Sequence, residues 1–410
     1  MKIKEITGGI TAPKGYRAAG VRAGIKAGKD NKDMAMIWSE APAACAAVYT
    51  KNVVKAAPVF WDRAITEGER RARAVVINSG IANACTGQQG LDNCRLEAEK
   101  AGELLGVSPK EVLVASTGVI GAQLDMDVIG KGIELLVPVL SEKEEAADDA
   151  AHAILTTDTV KKEIALSFMI GDREIRIGGM CKGAGMIHPN MGTMLAFITS
   201  DAAISPELLH RYVKELVTDS FNMVSVDGDT STNDTCMVLC NGLAGNRELT
   251  EDSDQARIFK EGLSYVMQYL ARAIAADGEG CSRLFEVCCL GAARKETARI
   301  LAKSVVCSTL TKAAVFGKDA NWGRILCAMG YSGADFDPEK VDISLESEHG
   351  KLQIVKDGVA TDYSEEKATE ILSGNPVTAV LHIHQGEESA VAWGCDLTYE
   401  YVSINADYRS

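Results

Sequence analysis

The chain has 410 residues, more than one hydrophobic core usually spans, so two or three domains or two large lobes are expected. Apolar residues make up 46% and charged residues 24%, an ordinary globular balance, and no run approaches the roughly 18 apolar residues of a membrane span. A net charge of −14 argues against nucleic acid and anionic membrane surfaces as partners, while a small substrate with charged ends stays open.

The opening MKIKEITGGITAPKGY lacks an apolar signal region, so secretion is not expected. ARAVVINSG (72–80) reads as a buried strand with a glycine stop. LDNCRLEAEKAGELLGV (91–107) reads as an amphipathic helix with Gly106 near its C-cap. EVLVASTGVIG (111–121) is a second strand, running into a Thr-Gly turn. Such a turn can aim a backbone N–H and a hydroxyl at one point, as an oxyanion hole requires; an ordinary strand end explains it equally well. MDVIGKGIELLVPVL (126–140) is helical in period, and LSEKEEAADDAAHAI (140–154) reads as a solvated helix start before the loop TTDTVKKE.

KGAGMIHPNMGTMLAF (182–197) is a glycine-rich loop that meets an unbroken apolar run at Gly192–Thr193. Threonine is a weak nucleophile unless a base takes its proton, and an N-terminal threonine carries such a base in its own α-amine. Gly192 tolerates a strained backbone before the hydroxyl, and the apolar run would hold a new N-terminus in a rigid strand. On composition alone the plainer reading prevails, in which Thr193 simply opens a strand. Lys182 and, further on, Glu279 in ADGEG are candidates for a charged substrate end or for the surface. His188 is a candidate base, although a loop histidine before proline is more often incidental.

SPELLHRYVKELVTDSFNMVSV (205–226) starts a helix with Ser205 as N-cap and Pro206 at its first position, then passes into a strand. VDGDTSTND (226–234) lacks the glycine and glutamate that an EF-hand calcium loop needs, and reads as a tight polar turn near a site. QARIFKEGLSYVMQYLARAIAAD (255–277) is the longest helix candidate. GKDANWGRILCAMGYSG (317–333) reads as a tight loop before a buried helix. His382 and His384 would share a strand face, but no third metal ligand is near, so no metal site is expected. Twelve cysteines without a CxxC read as buried, reduced thiols of a cytosolic protein. The alternation of strands and helices predicts an α/β or α+β protein with helices packed on sheets.

Together the segments GGITAPKGYRAAGVRAGIK, NSGIANACTG, VASTGVIG, TTDT, KGAGMIHPNMGTMLAFITSDA, VDGDTSTNDT, ADGEG, GKDANWGRI and INADYRS resemble the ornithine acetyltransferase (ArgJ) family over essentially the whole length. The resemblance implies an α/β, layered helix–sheet fold of the N-terminal-nucleophile-like type in two lobes. It implies autocleavage between Gly192 and Thr193, giving an alpha chain of residues 1–192 and a beta chain of residues 193–410 that remain associated as an α2β2 heterotetramer. It implies that Thr193 is the nucleophile, that Thr117 and Gly118 form the oxyanion hole, and that substrate meets Thr156, Lys182, Thr193, Glu279, Asn405 and Ser410. On charge complementarity, Lys182 would take a carboxylate and Glu279 the distal amine of ornithine.

The activity implied is glutamate N-acetyltransferase, moving acetyl from N2-acetyl-L-ornithine to L-glutamate by a ping-pong route in the cytoplasm. No metal or cofactor is implied, with acetyl-CoA an additional donor in some members. An N-terminal-nucleophile amidase or aminopeptidase, and a non-catalytic amino-acid-binding member, are the alternatives. The sequence departs from the family pattern at Gly192 (usually Ala), Ile81 (usually Asn), Ala320 (commonly Pro) and Ser410 (usually Thr). None of these removes a catalytic group.

Overall fold

The structure, a computed structural model, describes residues 3–26, 28, 30–188 and 194–407. Among the described residues the strands form one sheet of nine and one of seven. The large sheet runs Lys4–Ile6, Lys162–Ile170, Arg173–Lys182, Leu195–Ser200, Thr235–Cys240, Met34–Tyr49, Arg71–Ile81, Val112–Val119, with Tyr16–Val21 paired along Met34–Tyr49. Most neighbours are antiparallel. Leu195–Ser200 with Thr235–Cys240, and Arg71–Ile81 with Val112–Val119, are parallel. The second sheet is built from residues beyond 223, with Leu284–Ala292 between Val377–His382 and Glu388–Cys395.

The apolar run after residue 193 is explained by burial on both faces. Ala196 and Ile198 enter the core that contains the helix Asp254–Ala276, whereas Leu195 and Phe197 enter a separate core on the other face. A strand covered on both sides has no polar face to alternate with. Asp254–Ala276 begins where Ser253 accepts the Ala256 N–H, and it buries Phe259, Leu263, Val266, Leu270 and Ile274 along one stripe. It packs on Lys162–Ile170 and Arg173–Lys182 and also touches Glu388–Cys395, so one helix layer serves both sheets. This is the layered α/β arrangement expected.

The expected division at 192/193 does not coincide with any division of the sheet. Leu195–Ser200 and Thr235–Cys240 lie side by side between Arg173–Lys182 and Met34–Tyr49, so strands from after that boundary are flanked on both sides by strands from before it. Two elements are shorter than their periodicity predicts. The helix from residue 126 ends at Leu136 and tightens into a 3-10 turn at Val137–Val139, where Pro138 has no N–H to continue it. The helix capped by Ser205 ends at Leu216, and the strand expected after it is only Val224–Ser225. Glu144–Ala153 does expose its first acids, yet it buries Ala146, Ala147, Ala150 and Ala151 on its inner face.

Candidate active site

A cavity of about 140 Å³ opens where the ends of several strands and one helix converge. Thr117, Gly118, Thr156, Lys182, Glu279 and Asn405, six of the residues expected from the resemblance, all line it, and so does Met194. Gly192, Thr193 and Ser410 lie outside the described residues.

The strand Val112–Val119 delivers Thr117 and Gly118 opposite Ser79 and Gly80 of its parallel neighbour. Gly118 has φ 132°, and a Cβ there would sit 2.2 Å from the Gly80 carbonyl carbon, so only glycine fits this crossing. Lys182 closes the strand Arg173–Lys182 and is 8% exposed. Its Nζ donates to Thr156 Oγ1 at 2.8 Å and Thr117 Oγ1 at 3.3 Å. An ammonium has donors only, so both hydroxyl oxygens must accept and their own hydrogens point elsewhere. Thr117 is thereby left able to donate to an oxygen in the cavity. Burial lowers the affinity of Lys182 for its proton, while the neighbouring carboxylates of Asp158, Glu279 and Asp234 oppose that loss.

Glu279 follows the long helix in a turn that is fixed at both ends. Its N–H donates to the Ala184 carbonyl at 2.9 Å, and its Oε2 accepts from Asn405 Nδ2 at 2.9 Å. The helix Tyr399–Asp407 thus brings Asn405 to the cavity. Gly185 lies directly against the Glu279 carboxylate, where a Cβ would come within 2.2 Å of Cδ. The cavity therefore holds a buried cation and a braced carboxylate, suited to a small molecule that carries both charges.

The polar turn 226–234 is a brace for this site. Asp227 accepts the N–H groups of Met186 at 2.6 Å and Ile187 at 2.8 Å. Asn233 Nδ2 donates to the carbonyls of Ala82 at 2.6 Å and Ser116 at 2.8 Å, tying the turn to the strand that carries Thr117. Sequence reasoning missed Asn233, and it missed the buried charges Asp158, Lys162 and Asp277 beneath Lys182. The signal available was a dense polar run at positions flanked by buried strands.

Other candidates separate from the cavity. His188 Nδ1 meets Ser225 Oγ at 3.1 Å, and burial with the nearby Lys303 pushes its imidazole down to about 4, so it is neutral at pH 7. His382 ends a strand, but His384 lies beyond it with φ 51° and bonds Asp342 at 3.0 Å. Among the described residues no cluster of three His, Cys, Asp or Glu side chains could hold a metal ion. All twelve cysteines are free, seven of them buried and only Cys85 and Cys327 exposed. No helix among the described residues is long and apolar enough to cross a membrane.

Fold and cavity define a layered α/β protein with an open cavity that presents a buried cation and a carboxylate, beside a Thr-Gly strand end able to donate hydrogen bonds. A model of the ArgJ family matches residues 17–410, and the chain belongs to that family. It is 50% identical over 407 residues to the arginine biosynthesis bifunctional protein ArgJ of Symbiobacterium thermophilum, covering 99% of both chains. It is 47% identical over 405 residues to the protein of the same name from Caldanaerobacter subterraneus subsp. tengcongensis, again covering 99% of both. A crystal structure of the arginine biosynthesis bifunctional protein ArgJ from Bacillus halodurans matches with a TM-score of 0.50 and 43% identity, over 53% of this chain and 100% of that one.

Proposed function

We propose that this protein is a glutamate N-acetyltransferase of arginine biosynthesis, acting by acetyl transfer through Thr193 after cleavage between Gly192 and Thr193. The observation that carries this reading is the placement of Met194. It is the residue that follows Thr193 in the chain, and it lines the same cavity as Thr117, Gly118, Lys182, Thr156, Glu279 and Asn405. Its carbonyl is fixed by the Thr235 N–H at 2.9 Å, at the head of a strand buried on both faces.

In the reaction, the Thr193 hydroxyl attacks the acetyl carbonyl of N2-acetyl-L-ornithine and gives its proton to its own α-amine. The carbonyl oxygen becomes an oxyanion held by the Thr117 hydroxyl and the Gly118 N–H. The tetrahedral intermediate collapses, the amide C–N bond breaks, and the ammonium returns its proton to the departing ornithine. Acetyl-Thr193 remains. The amine of L-glutamate then attacks this ester, Thr193 leaves with a proton, and N-acetylglutamate is released. Lys182 takes the α-carboxylate that both substrates share, and Glu279 with Asn405 and Ser410 takes the distal amine of ornithine. This chemistry calls on no metal and no cofactor. The word bifunctional in the relatives' names supports a second donor, and acetyl-CoA is the one we propose. Association of the two pieces as an α2β2 heterotetramer and a cytoplasmic location belong to the same proposal.

The test is a two-substrate assay with labelled N2-acetyl-L-ornithine and L-glutamate. Parallel double-reciprocal lines with label recovered in N-acetylglutamate are expected. Release of acetate at a rate indifferent to glutamate would instead make the protein an amidase.

A further inference from the structure

Beneath the cavity lies a chain of charges that does not itself line it. The side chains of Asp158, Lys162 and Asp277 are 0%, 1% and 5% exposed. Asp158 Oδ1 accepts from Lys162 Nζ at 2.7 Å and from the Gly183 N–H at 2.6 Å, and its Oδ2 accepts from the Thr156 N–H at 3.1 Å. Lys162 Nζ also donates to Asp277 Oδ2 at 2.5 Å. Asp277 in turn accepts from the Thr159 N–H at 3.1 Å and from the Thr159 hydroxyl.

The bonds made by Asp158 are informative. One goes to the residue after Lys182, and another to the residue whose hydroxyl receives the Lys182 ammonium. Lys182 is thus held from both sides by a single carboxylate. Asp277 stands two residues before Glu279, so the Lys162 bridge links the segment of the cation to the segment of the acid. Burying such a set is costly in solvation, and apolar side chains of the same size would hold the loop at less cost. A carboxylate beneath Lys182 does what an apolar residue cannot: it keeps a buried ammonium charged.

We propose that Asp158 is the positioning residue that holds Lys182 in place and in its charged form, so that the preference for carboxylate-bearing substrates depends on a side chain that substrate never touches. This rests on the reading that Lys182 takes the substrate carboxylate. The groups facing Lys182 are Asp158, Lys162, Glu279 and Asp234, with the hydroxyls of Thr117 and Thr156. Asp158 is the strongest of the charges that favour its protonated form. Without it, burial and Lys162 weigh against the Lys182 proton with only Glu279 and Asp234 to oppose them.

The experiment compares N2-acetyl-L-ornithine with its decarboxylated counterpart, N-acetyl-1,4-diaminobutane, on the cleaved full-length enzyme and its D158N, D158E and K182M variants. D158N is expected to lower kcat/KM for acetylornithine by about tenfold or more, chiefly through KM, and to change the decarboxylated compound by less than about threefold. The loss should deepen as pH rises and Lys182 gives up its proton. D158E keeps the charge but displaces the two N–H bonds, so it should lower the same preference while retaining the wild-type pH profile. Equal losses for both compounds in D158N would reduce Asp158 to a structural residue and overturn the proposal. If D158N does not fold, a D158E enzyme with wild-type preference overturns it. K182M separates the two levels. If it impairs both compounds equally, the carboxylate reading of Lys182 itself fails; if it is selective while D158N is not, only the role of Asp158 fails.

Discussion

At Thr117 the direction of one hydrogen bond decides the chemistry. Because Lys182 can only donate, the Thr117 hydroxyl keeps its own hydrogen for the cavity. T117A should therefore lower kcat by about 10²–10³ and change KM little, because a donor to a developing oxyanion acts chiefly in the transition state. Steady-state kinetics on both substrates checks this, and a loss confined to KM would count against it. Gly185 is the second sensitive point. G185A places a methyl group on the Glu279 carboxylate and should raise KM for acetylornithine more than for glutamate, which has no distal amine. Away from the site, burial pushes the Glu97 carboxyl from an ordinary 4.5 up to about 8. The folded chain then keeps a proton that the unfolded chain releases, so this residue lowers stability as pH rises from 4.5 to about 8. E97Q, which has no proton to lose, should gain in Tm over wild type across that window, as thermal melts would show; parallel melting curves would contradict the account. Of these residues, Thr117, Lys182 and Glu279 were singled out in the sequence by a Thr-Gly turn and by charges in glycine-rich loops, the family resemblance joined them in one site, and they line one cavity. Asp158 and Glu97 gave no local signal, because what makes them unusual is burial by segments far away in the chain.

Elements with strong local instructions were the most legible. The helix Asp254–Ala276 declared itself through its apolar stripe, and Pro206–Leu216 through Ser205 and Pro206. Helix ends were less so, since Pro138 acts by withholding a hydrogen bond within a periodic run that otherwise continues. Sheet partners were not legible at all. Leu195–Ser200 pairs in parallel with Thr235–Cys240 across the whole polar turn, and nothing in either apolar run names the other. The turn 226–234 read correctly as polar and site-adjacent, but its function as a brace depends on carbonyls at positions 82 and 116. N233A would leave both buried carbonyls without that donor, costing about 1–3 kcal/mol for each. Denaturant unfolding should show this loss together with reduced turnover, since the Thr117 strand loses its tie. Unchanged stability would mean that the turn does not hold the strand.

Across the whole molecule, the large sheet interleaves residues from before and after the boundary at 192/193. The long helix packs on strands that precede the boundary while its own residues follow it. Cleavage at that point would leave two pieces that share a sheet and a core, so they should migrate together in native gel filtration and separate only on denaturation. On the proposed mechanism Thr193 becomes a free N-terminal nucleophile that carries acetyl. The most direct test is a denaturing intact-mass spectrum of wild type and T193A, each taken with and without N2-acetyl-L-ornithine. The wild type should give two fragments meeting between Gly192 and Thr193, the second heavier by one acetyl group after incubation with acetylornithine and restored by L-glutamate, while T193A stays a single unmodified chain. A wild-type chain that remains intact and takes up no acetyl group would contradict the account.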